Sequence, residues 1–360
     1  MLKTIPKITI LFPRLDLPNK KSSEQSLLKY KQSTDVIAIR NEWSTFLELL
    51  KAAVTEAGIE LQIITRPMWE FTAEFINGIE SDLILVPHKN RFELGTLKGN
   101  CAFYMQVMTK WLFSIDPMGW SAGASVYPCQ QYQSYPADYS IPARYRKLLA
   151  ESNQSKFSQK KSESKLNLLL KRQIPFSRYL FFPCQVPHDH SIEYFSSVSE
   201  LEVIESLTQW ASKRKIHLVF KKHPANLKAM KPFEGLVESS SYCRWSDASI
   251  YDLIRHSMAT YTINSGVGFE ALLLNKPVAT FGRVEYDQLT VKATPATLDQ
   301  VYSDVCNYPE ARLKDEFARF LNWYSNEFCI DLTVDRQLVQ KRLAKKIDSL
   351  IQYSSQSHAA

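Results

Sequence analysis

The stretch from Thr260 to Tyr286 constrains the fold more than any other part of this sequence. Its first residues, Thr260 to Ile263, are β-branched and apolar, which predicts a buried strand. The segment Asn264–Gly266 is a tight polar turn. Val267 to Leu274 then has helical spacing and is followed by a second strand-like run. A strand that leads through a short turn into a helix predicts one half of a βαβ unit in a parallel sheet.

The turn of this unit has the chemistry to hold an anion. The unpaired N–H groups and the positive end of the helix dipole face whatever lies above the turn. Ser265 either caps the helix or donates its hydroxyl to a phosphate. The alternative is an ordinary β-turn-α unit in which the serine is only a cap.

A second element, which is basic, lies thirty-odd residues before the first. Ile216 to Phe220 predicts a strand, and it runs into Lys221, Lys222, His223 and Pro224. A histidine at the carboxyl end of a parallel strand lies on the edge where open α/β sheets bind ligands. Its imidazole can bind a phosphate or transfer a proton near neutral pH, and Lys221 adds a positive charge. A solvated basic loop is the alternative.

Together the two elements read Lys-x-His-Pro and Thr-x-Asn-Ser-x-Val-Gly-x-x-Ala-Leu, and they resemble the capsule polysaccharide β-Kdo transferases. These are bacterial GT-B glycosyltransferases that use CMP-Kdo. A third segment, Phe182 to Asp189, is similar to that family's strand-Pro-x-Gln-x-x-x-Asp segment. The resemblance extends over about Tyr179 to Leu289. It implies that the donor is bound by Lys221, His223, Pro224, Asn264, Ser265, Gly266, Val267, Gly268 and Glu270.

The resemblance also implies transfer with retention of configuration, which requires a carboxylate nucleophile and a second acid/base. Asp189 is assigned as the nucleophile, Asp116 as the acid/base, and His223 assists the leaving phosphate; the two aspartates can also exchange roles. Asp116 ends an apolar strand before a Gly- and Ser-containing loop that departs from the family's loop. The alternatives are an Asp-Pro turn at Asp116 and a helix cap at Asp189. No metal is expected, because no distant ligand completes the set of His188, Asp189 and His190.

The rest of the chain fits this fold class. At 360 residues it has room for two domains. Residues 7 to 140 alternate between strand and helix patterns, which predicts a mostly parallel sheet with helices on both faces. No Gly-x-Gly-x-x-Gly or P-loop is present. The expected fold is therefore α/β and GT-B-like, with two Rossmann-like domains facing a central cleft.

Residues 141–178 have a distinct composition. They contain ten Lys and Arg against two Glu, a net +8, whereas the whole chain has 44 minus 37, or +7. This segment predicts a linker between an N-terminal acceptor-side domain (1–170) and a CMP-sugar-binding domain (179–330). Residues 331–360 predict a helix that crosses back to the first domain. The basic face would contact an anionic membrane or a lipid phosphate; a solvated linker is the alternative, and no nucleic-acid reader motif appears.

The six cysteines are scattered and no signal sequence is recognised, so a reduced, cytoplasmic protein is expected, either free or peripheral at the inner face of the cytoplasmic membrane. The partners implied by the resemblance are CMP-Kdo, or a related ulosonic acid donor, and a saccharide or lipid-linked acceptor. No further cofactor is implied. Two other functions stay open: a CDP-glycerol-type polyol phosphotransferase or sialyltransferase, and a nucleotide-binding scaffold without turnover.

Overall fold

A computed structural model describes residues 5–17, 34–152, 159–171, 173–174, 177–186, 189–224 and 231–357, with the side chains of 34–38 and 355–357 left out. Pro187 and His188 of the third motif lie outside the described residues, as do Lys156 and Arg172 of the basic segment.

The structure alternates strands and helices along most of its length. The strands are β1 (Lys7–Pro13), β2 (Glu60–Arg66), β3 (Leu83–Pro87), β4 (Cys101–Val107), β5 (Leu112–Asp116), β6 (Leu180–Pro183), β7 (Leu218–Lys221), β8 (Cys243–Trp245), β9 (Thr260–Thr262), β10 (Val278–Thr280), β11 (Val291–Lys292) and β12 (Cys329–Asp331). The α-helices are α1 (Thr34–Glu56), α2 (Ala73–Asn77), α3 (Ser140–Ser152), α4 (Lys165–Leu170), α5 (His190–Phe195), α6 (Glu200–Arg214), α7 (Glu234–Glu238), α8 (Ile250–His256), α9 (Gly266–Leu273), α10 (Leu298–Cys306), α11 (Glu310–Trp323) and α12 (Arg336–Ser357).

The chain forms two compact units. Unit 1 comprises Met1–Ser125 and Tyr324–Ala360, and unit 2 comprises Val126–Trp323. The sheet of unit 1 has the order β12-β5-β4-β3-β1-β2. Strands β1 to β4 pair in parallel, whereas β5 pairs antiparallel with both β4 and β12. The chain therefore returns to its first sheet after completing unit 2.

An aromatic core holds the helices of unit 1 on their sheet. Phe46 of α1 stacks on Phe113 of β5 with ring centroids 4.3 Å apart, and Trp43 packs edge-on against the same ring. Val339 and Leu343 of α12 are buried in the same cluster. Helix α12 thus packs within the first unit, against α1. Among the described residues, no helix combines the length and the apolar character needed to cross a bilayer.

Unit 2 contains six strands that pair in parallel in the order β11-β10-β9-β6-β7-β8. Strand β6 is buried along its whole length, as expected for the interior of a parallel sheet covered by helices. Counting from β6, the strand order is 3-2-1-4-5-6, the Rossmann arrangement. The order reverses between β6 and β9, and at such a point the loops diverge and leave a crevice for a ligand.

The division into units differs from the boundary predicted at the basic segment. Helix α3 belongs to unit 2, where Arg146 Nη1 donates to the Leu273 carbonyl over 3.0 Å. Further along, the fully buried Asp252 of α8 accepts from Ser162 Oγ (2.5 Å) and from the Glu163 N–H (2.8 Å). These contacts fix the described part of the segment to unit 2, because a buried carboxylate needs hydrogen-bond donors. The boundary lies at 125–126 instead.

Candidate active site

The carboxyl ends of three neighbouring strands carry most of the predicted site residues. Gln185 and Asp189 follow β6, His223 follows β7, and Asn264 and Ser265 follow β9. The three strands are adjacent and parallel, so these residues share one edge of the sheet. The edge includes the crevice between β6 and β9.

Gln185 and Asn264 connect the two loops across this crevice. The Asn264 N–H donates to Gln185 Oε1 over 3.1 Å, and Gln185 Nε2 donates to Asn264 Oδ1 over 3.0 Å. Asn264 Nδ2 also donates to the Ser191 carbonyl over 2.6 Å. Both side chains are buried. Because buried amides with satisfied partners have little freedom, the two loops are held in a fixed geometry.

Asp189 lies at the N-terminus of α5. Its Oδ1 accepts from both the N–H and the hydroxyl of Ser191, each over 2.9 Å, so Asp189 is the N-cap of the helix. Both of these bonds use the same oxygen. Asp189 thus has the capping role that the sequence offered as the alternative, and its assignment as nucleophile stays a prediction.

His223 lies near Asp189 on the adjacent loop. The Asp189 carboxylate raises the pKa of the imidazole, but the larger effect is burial, which lowers the pKa of His223 below its ordinary value. The neutral ring is therefore the main form at neutral pH. A neutral imidazole has one donor and one acceptor nitrogen, so it can bind a phosphate oxygen or transfer a proton.

The two lysines before His223 differ in their contacts. Lys222 pairs with Glu234, and its ammonium lies 5.2 Å from the centroid of the Trp245 ring. Lys221 Nζ donates to the Ala248 carbonyl over 2.7 Å, and burial lowers its pKa to about 8. Lys221 is still mostly protonated at neutral pH. Because burial disfavours its positive charge, an anionic ligand would stabilise Lys221 more than Lys222, which is already paired with Glu234.

The turn after β9 is built as a helix cap. Ser265 Oγ accepts from the Val267 N–H over 3.2 Å, which makes Ser265 the N-cap of α9. The Tyr286 hydroxyl donates to the Ser265 carbonyl. A Cβ at Gly268 would lie 2.2 Å from that hydroxyl, so only glycine fits beneath Tyr286. Gly268 and Tyr286 thus form one packing contact that fixes the turn.

The other predicted donor-binding residues also lie in unit 2. Gly266 and Val267 form the first turn of α9, Pro224 is exposed after His223, and Glu270 is buried inside α9. Their roles in donor binding stay predictions. Among the described residues, no group of three His, Cys, Asp or Glu side chains converges as a metal site requires.

Asp116 belongs to unit 1 and organises its own loop. Its Oδ1 accepts from the N–H groups of Met118 (2.8 Å), Gly119 (3.2 Å) and Ser125 (2.9 Å), and its Oδ2 accepts from Ser125 Oγ (2.6 Å). The residue is 1% exposed. These bonds have the geometry of the turn-forming alternative. The acid/base role of Asp116 stays a prediction, and these contacts add no support to it.

Glu200, which accepts a hydrogen bond from the loop that follows β6, was not identified from the sequence. Glu200 Oε1 accepts from the Gln185 N–H over 2.9 Å, and the residue is 1% exposed. Burial raises the pKa of Glu200 to about 8. A glutamate in the first turn of a helix usually interacts with the helix dipole, so its position in the sequence did not indicate burial.

The two α/β units place the chain in the GT-B-like class. A solved structure from Thermosulfurimonas dismutans, the β-Kdo 2,4 transferase of KpsC, superimposes with a TM-score of 0.50 at 14% identity over 95% of this chain and 98% of that one. The β-Kdo 2,7 transferase of the same protein gives a TM-score of 0.46 at 16% identity over 95% and 99%. The predicted fold class, with its two Rossmann-like domains, is confirmed.

The family match covers most of unit 2. Residues 126–300 match the family described as capsule polysaccharide biosynthesis protein. Capsule polysaccharide export protein KpsS of Escherichia coli is 33% identical over 124 residues, which span 31% of this chain and 31% of that protein. This segment therefore matches the capsule polysaccharide biosynthesis family, and the resemblance seen in the motifs is confirmed for that part of the chain.

Proposed function

We propose that the protein is a glycosyltransferase of capsule synthesis that transfers Kdo, or a related ulosonic acid, from a CMP-sugar to a saccharide or lipid-linked acceptor. The observation that carries the proposal is the hydrogen-bonded pair Gln185–Asn264 at the point where the strand order reverses. This pair holds the Ser265 turn beside the loops of Asp189 and His223, where an open α/β sheet binds its ligand.

The leaving group explains the cationic side of the site. Breaking the bond between the anomeric carbon and the phosphate oxygen releases CMP as an anion, which needs positive charge and hydrogen bonds rather than strong acid catalysis. Lys221, the first N–H groups of α9 and His223 would supply them. The lowered pKa of Lys221 fits this role, because a phosphate would stabilise its protonated form.

Retention is proposed to proceed in two displacements. The Asp189 carboxylate attacks the anomeric carbon and CMP departs; the acceptor hydroxyl then attacks the same carbon, loses its proton to a base and releases the carboxylate. Asp116 is the proposed base. For this, its bond from Ser125 Oγ would have to be exchanged for one from the acceptor. The reverse assignment, with Asp116 as nucleophile and Asp189 as base, is the alternative.

Nucleotide selectivity is the first test. At about one hundred times its dissociation constant, CMP should stabilise the protein by about 2.7 kcal/mol, a rise of several degrees in the unfolding temperature. We expect this for CMP and not for UDP or GDP, and we expect the His223→Ala variant to lose it. The His256→Ala variant, altered at a half-buried histidine ending α8, is the control. Stabilisation by UDP or GDP would contradict the proposed donor.

Replacing Asp189 distinguishes the proposed glycosyltransferase from the alternative, a polyol phosphotransferase. Direct phosphotransfer needs no carboxylate nucleophile on a sugar carbon. Release of CMP from CMP-Kdo, followed in the presence of a Kdo-terminated acceptor, should fall at least about a hundredfold in the Asp189→Asn variant. Full activity of that variant with CDP-glycerol would favour the phosphotransferase. CMP binding without turnover of any donor would favour a scaffold.

We also propose that unit 2 contacts an anionic membrane surface through α4. Leu166 and Leu170 are 64% and 73% exposed on one side of this helix, between the basic residues Lys165 and Lys171. Apolar side chains flanked by lysines favour the surface of an anionic bilayer. Sedimentation with phosphatidylserine vesicles, but not with phosphatidylcholine vesicles, would support this contact, and a Leu166→Ser/Leu170→Ser variant should weaken it.

A further inference from the structure

A cavity of about 450 Å³ lies in unit 2 beside the residues predicted to hold the donor, and none of those residues lines it. It opens at the carboxyl end of β10, next to the loop that follows α5. The lining residues that bear on its chemistry are Tyr127, Tyr194, Phe195, Gly282, Arg283 and Lys292.

Gly282 lies between this cavity and the loop that carries Asn264 and Ser265. A Cβ at Gly282 would lie 3.1 Å from Asn264 Nδ2 and 3.1 Å from the Phe195 carbonyl. The Gly282 N–H donates to the Ile263 carbonyl over 2.9 Å. The backbone of Gly282 thus packs directly on the loop that carries Asn264. The cavity therefore borders the loop that would hold the phosphate of the donor at the Ser265 turn.

Two cations and one carboxylate determine the charge of the cavity. The Arg283 backbone N–H donates to the Phe195 carbonyl over 2.8 Å, and its exposed guanidinium reaches the Tyr194 carbonyl over 3.4 Å. Within the described part of the chain, no carboxylate pairs with Arg283. Lys292 Nζ lies 2.8 Å from Asp287 Oδ2. Two positive charges and one negative charge leave about one net positive charge.

Asp287 fixes the opposite walls of the cavity. It is 0% exposed, and its Oδ2 accepts from the Tyr127 hydroxyl over 2.8 Å as well as from Lys292. The same oxygen accepts from the Val284 N–H over 3.2 Å. A buried carboxylate with three such donors orders the side chains around it. The tyrosine ring and the lysine are therefore positioned before any ligand binds.

We propose that this cavity binds the carboxylate-bearing sugar of the substrate, with Arg283 as the residue that recognises the carboxylate. A guanidinium matches a carboxylate through two parallel hydrogen bonds. One net positive charge suits a singly charged carboxylate better than a doubly charged phosphate. The half-buried rings of Tyr127 and Tyr194 offer apolar surface to a sugar ring, and the volume is that of a small-ligand pocket.

The inference deepens the proposed function and rests on it only for the position of the phosphate. Two sources would supply the same chemistry: the sugar of the donor itself, or an acidic sugar at the end of the acceptor. The cavity also differs from the predicted nucleotide site in its residues, so the two can be tested separately.

The experiment measures binding to the full chain by ligand-observed NMR, with the methyl glycoside of Kdo and the methyl ester of that glycoside as probes. The ester keeps the sugar ring and removes the charge. We expect the acid to bind at least about tenfold more tightly than the ester, as for a hydrogen-bonded charge. Arg283→Gln should weaken binding of the acid by a similar factor, and Arg283→Lys by less.

Arg312→Gln is the matched control, because Arg312 pairs with Glu316 on α11 and does not line the cavity. Equal binding of acid and ester to the wild type, or unchanged binding of the acid by Arg283→Gln, would overturn the proposal. CMP affinity is measured in parallel for every variant. Loss of acid binding with CMP affinity intact supports the proposal. Acid binding by a protein that binds no CMP would refute the proposed donor and leave the cavity assignment standing.

The source of the sugar follows from competition with CMP-Kdo. Displacement of the glycoside by CMP-Kdo, but not by CMP, would assign the cavity to the sugar of the donor. Simultaneous binding of the glycoside and CMP-Kdo would assign it to an acidic acceptor. Both results require the carboxylate contact and therefore support the proposal.

Discussion

Replacing Glu200 by glutamine tests whether a protonated carboxyl holds the loop after β6. Burial raises the pKa of Glu200 from 4.5 to about 8. Between these values the folded state binds about one proton more than the unfolded state. The free energy of unfolding should therefore fall as pH rises, by about 1.4 kcal/mol per pH unit. This contribution is complete below about pH 4.5 and is lost as pH passes about 8.

The slope is large enough to measure by thermal unfolding. For a unit of about 200 residues, it corresponds to about 3–5 °C per pH unit. Glu200→Gln keeps an oxygen to accept from the Gln185 N–H but cannot ionise. Unfolding temperatures are compared from pH 5.5 to 8.5 for the wild type, for Glu200→Gln, and for Glu205→Gln as a half-buried control on α6. The wild type and Glu205→Gln should lose stability with rising pH relative to Glu200→Gln.

Parallel curves for the wild type and Glu200→Gln across this range would refute the reasoning. They would mean that Glu200 is ionised in the folded protein, and that the Gln185 N–H and neighbouring groups stabilise the charge despite burial. If the unfolding temperatures of the two proteins differed by the same amount at every pH, the substitution would have changed only the packing around residue 200.

Three further predictions concern the site and its loops. Gly268→Ala places a methyl group 2.2 Å from the Tyr286 hydroxyl; it should cost about 1–3 kcal/mol in chemical denaturation and weaken CMP binding, whereas Tyr286→Phe should cost about 1 kcal/mol. CMP affinity measured by calorimetry should fall as pH rises through about 8, because Lys221 then loses its proton, and a Lys221→Met variant should bind more weakly without this dependence. Asp116→Asn should destabilise the protein by about 2 kcal/mol or more, because three N–H groups and Ser125 Oγ depend on the carboxylate; unchanged stability with lost turnover would instead identify Asp116 as a catalytic group.

The parts of the fold that the sequence predicted depend on local signals. The strands of unit 2 are short apolar runs that end at polar turns, a pattern that parallel sheets impose because both faces are covered. The antiparallel pairing of β5 with β12 had no such local signal, because it pairs residues that lie far apart in the sequence, Phe113 and Ile330. The boundary was also missed, because the basic composition of 141–178 does not reveal that Asp252 binds Ser162 and Glu163.

The same distinction applies to the site. The shared location of Asn264 and His223 could be predicted, because the carboxyl ends of strands in a parallel sheet meet at one edge. Gln185 appeared in the third motif, but its pairing with Asn264 is visible only in three dimensions. Arg283 and Lys292 belong to no recognised motif, and their common cavity follows from the pairing of β10 with β11.

The return of the chain through β12 has a consequence for synthesis on the ribosome. When translation has reached Trp323, all of unit 2 has been made, but β5 still lacks its antiparallel partner. An unpaired edge strand is a site for association with other chains, and domains tend to fold as their residues emerge. Unit 2 can therefore fold first although unit 1 begins the chain. A protein truncated after Trp323 should retain the nucleotide site and yet aggregate through its incomplete first sheet.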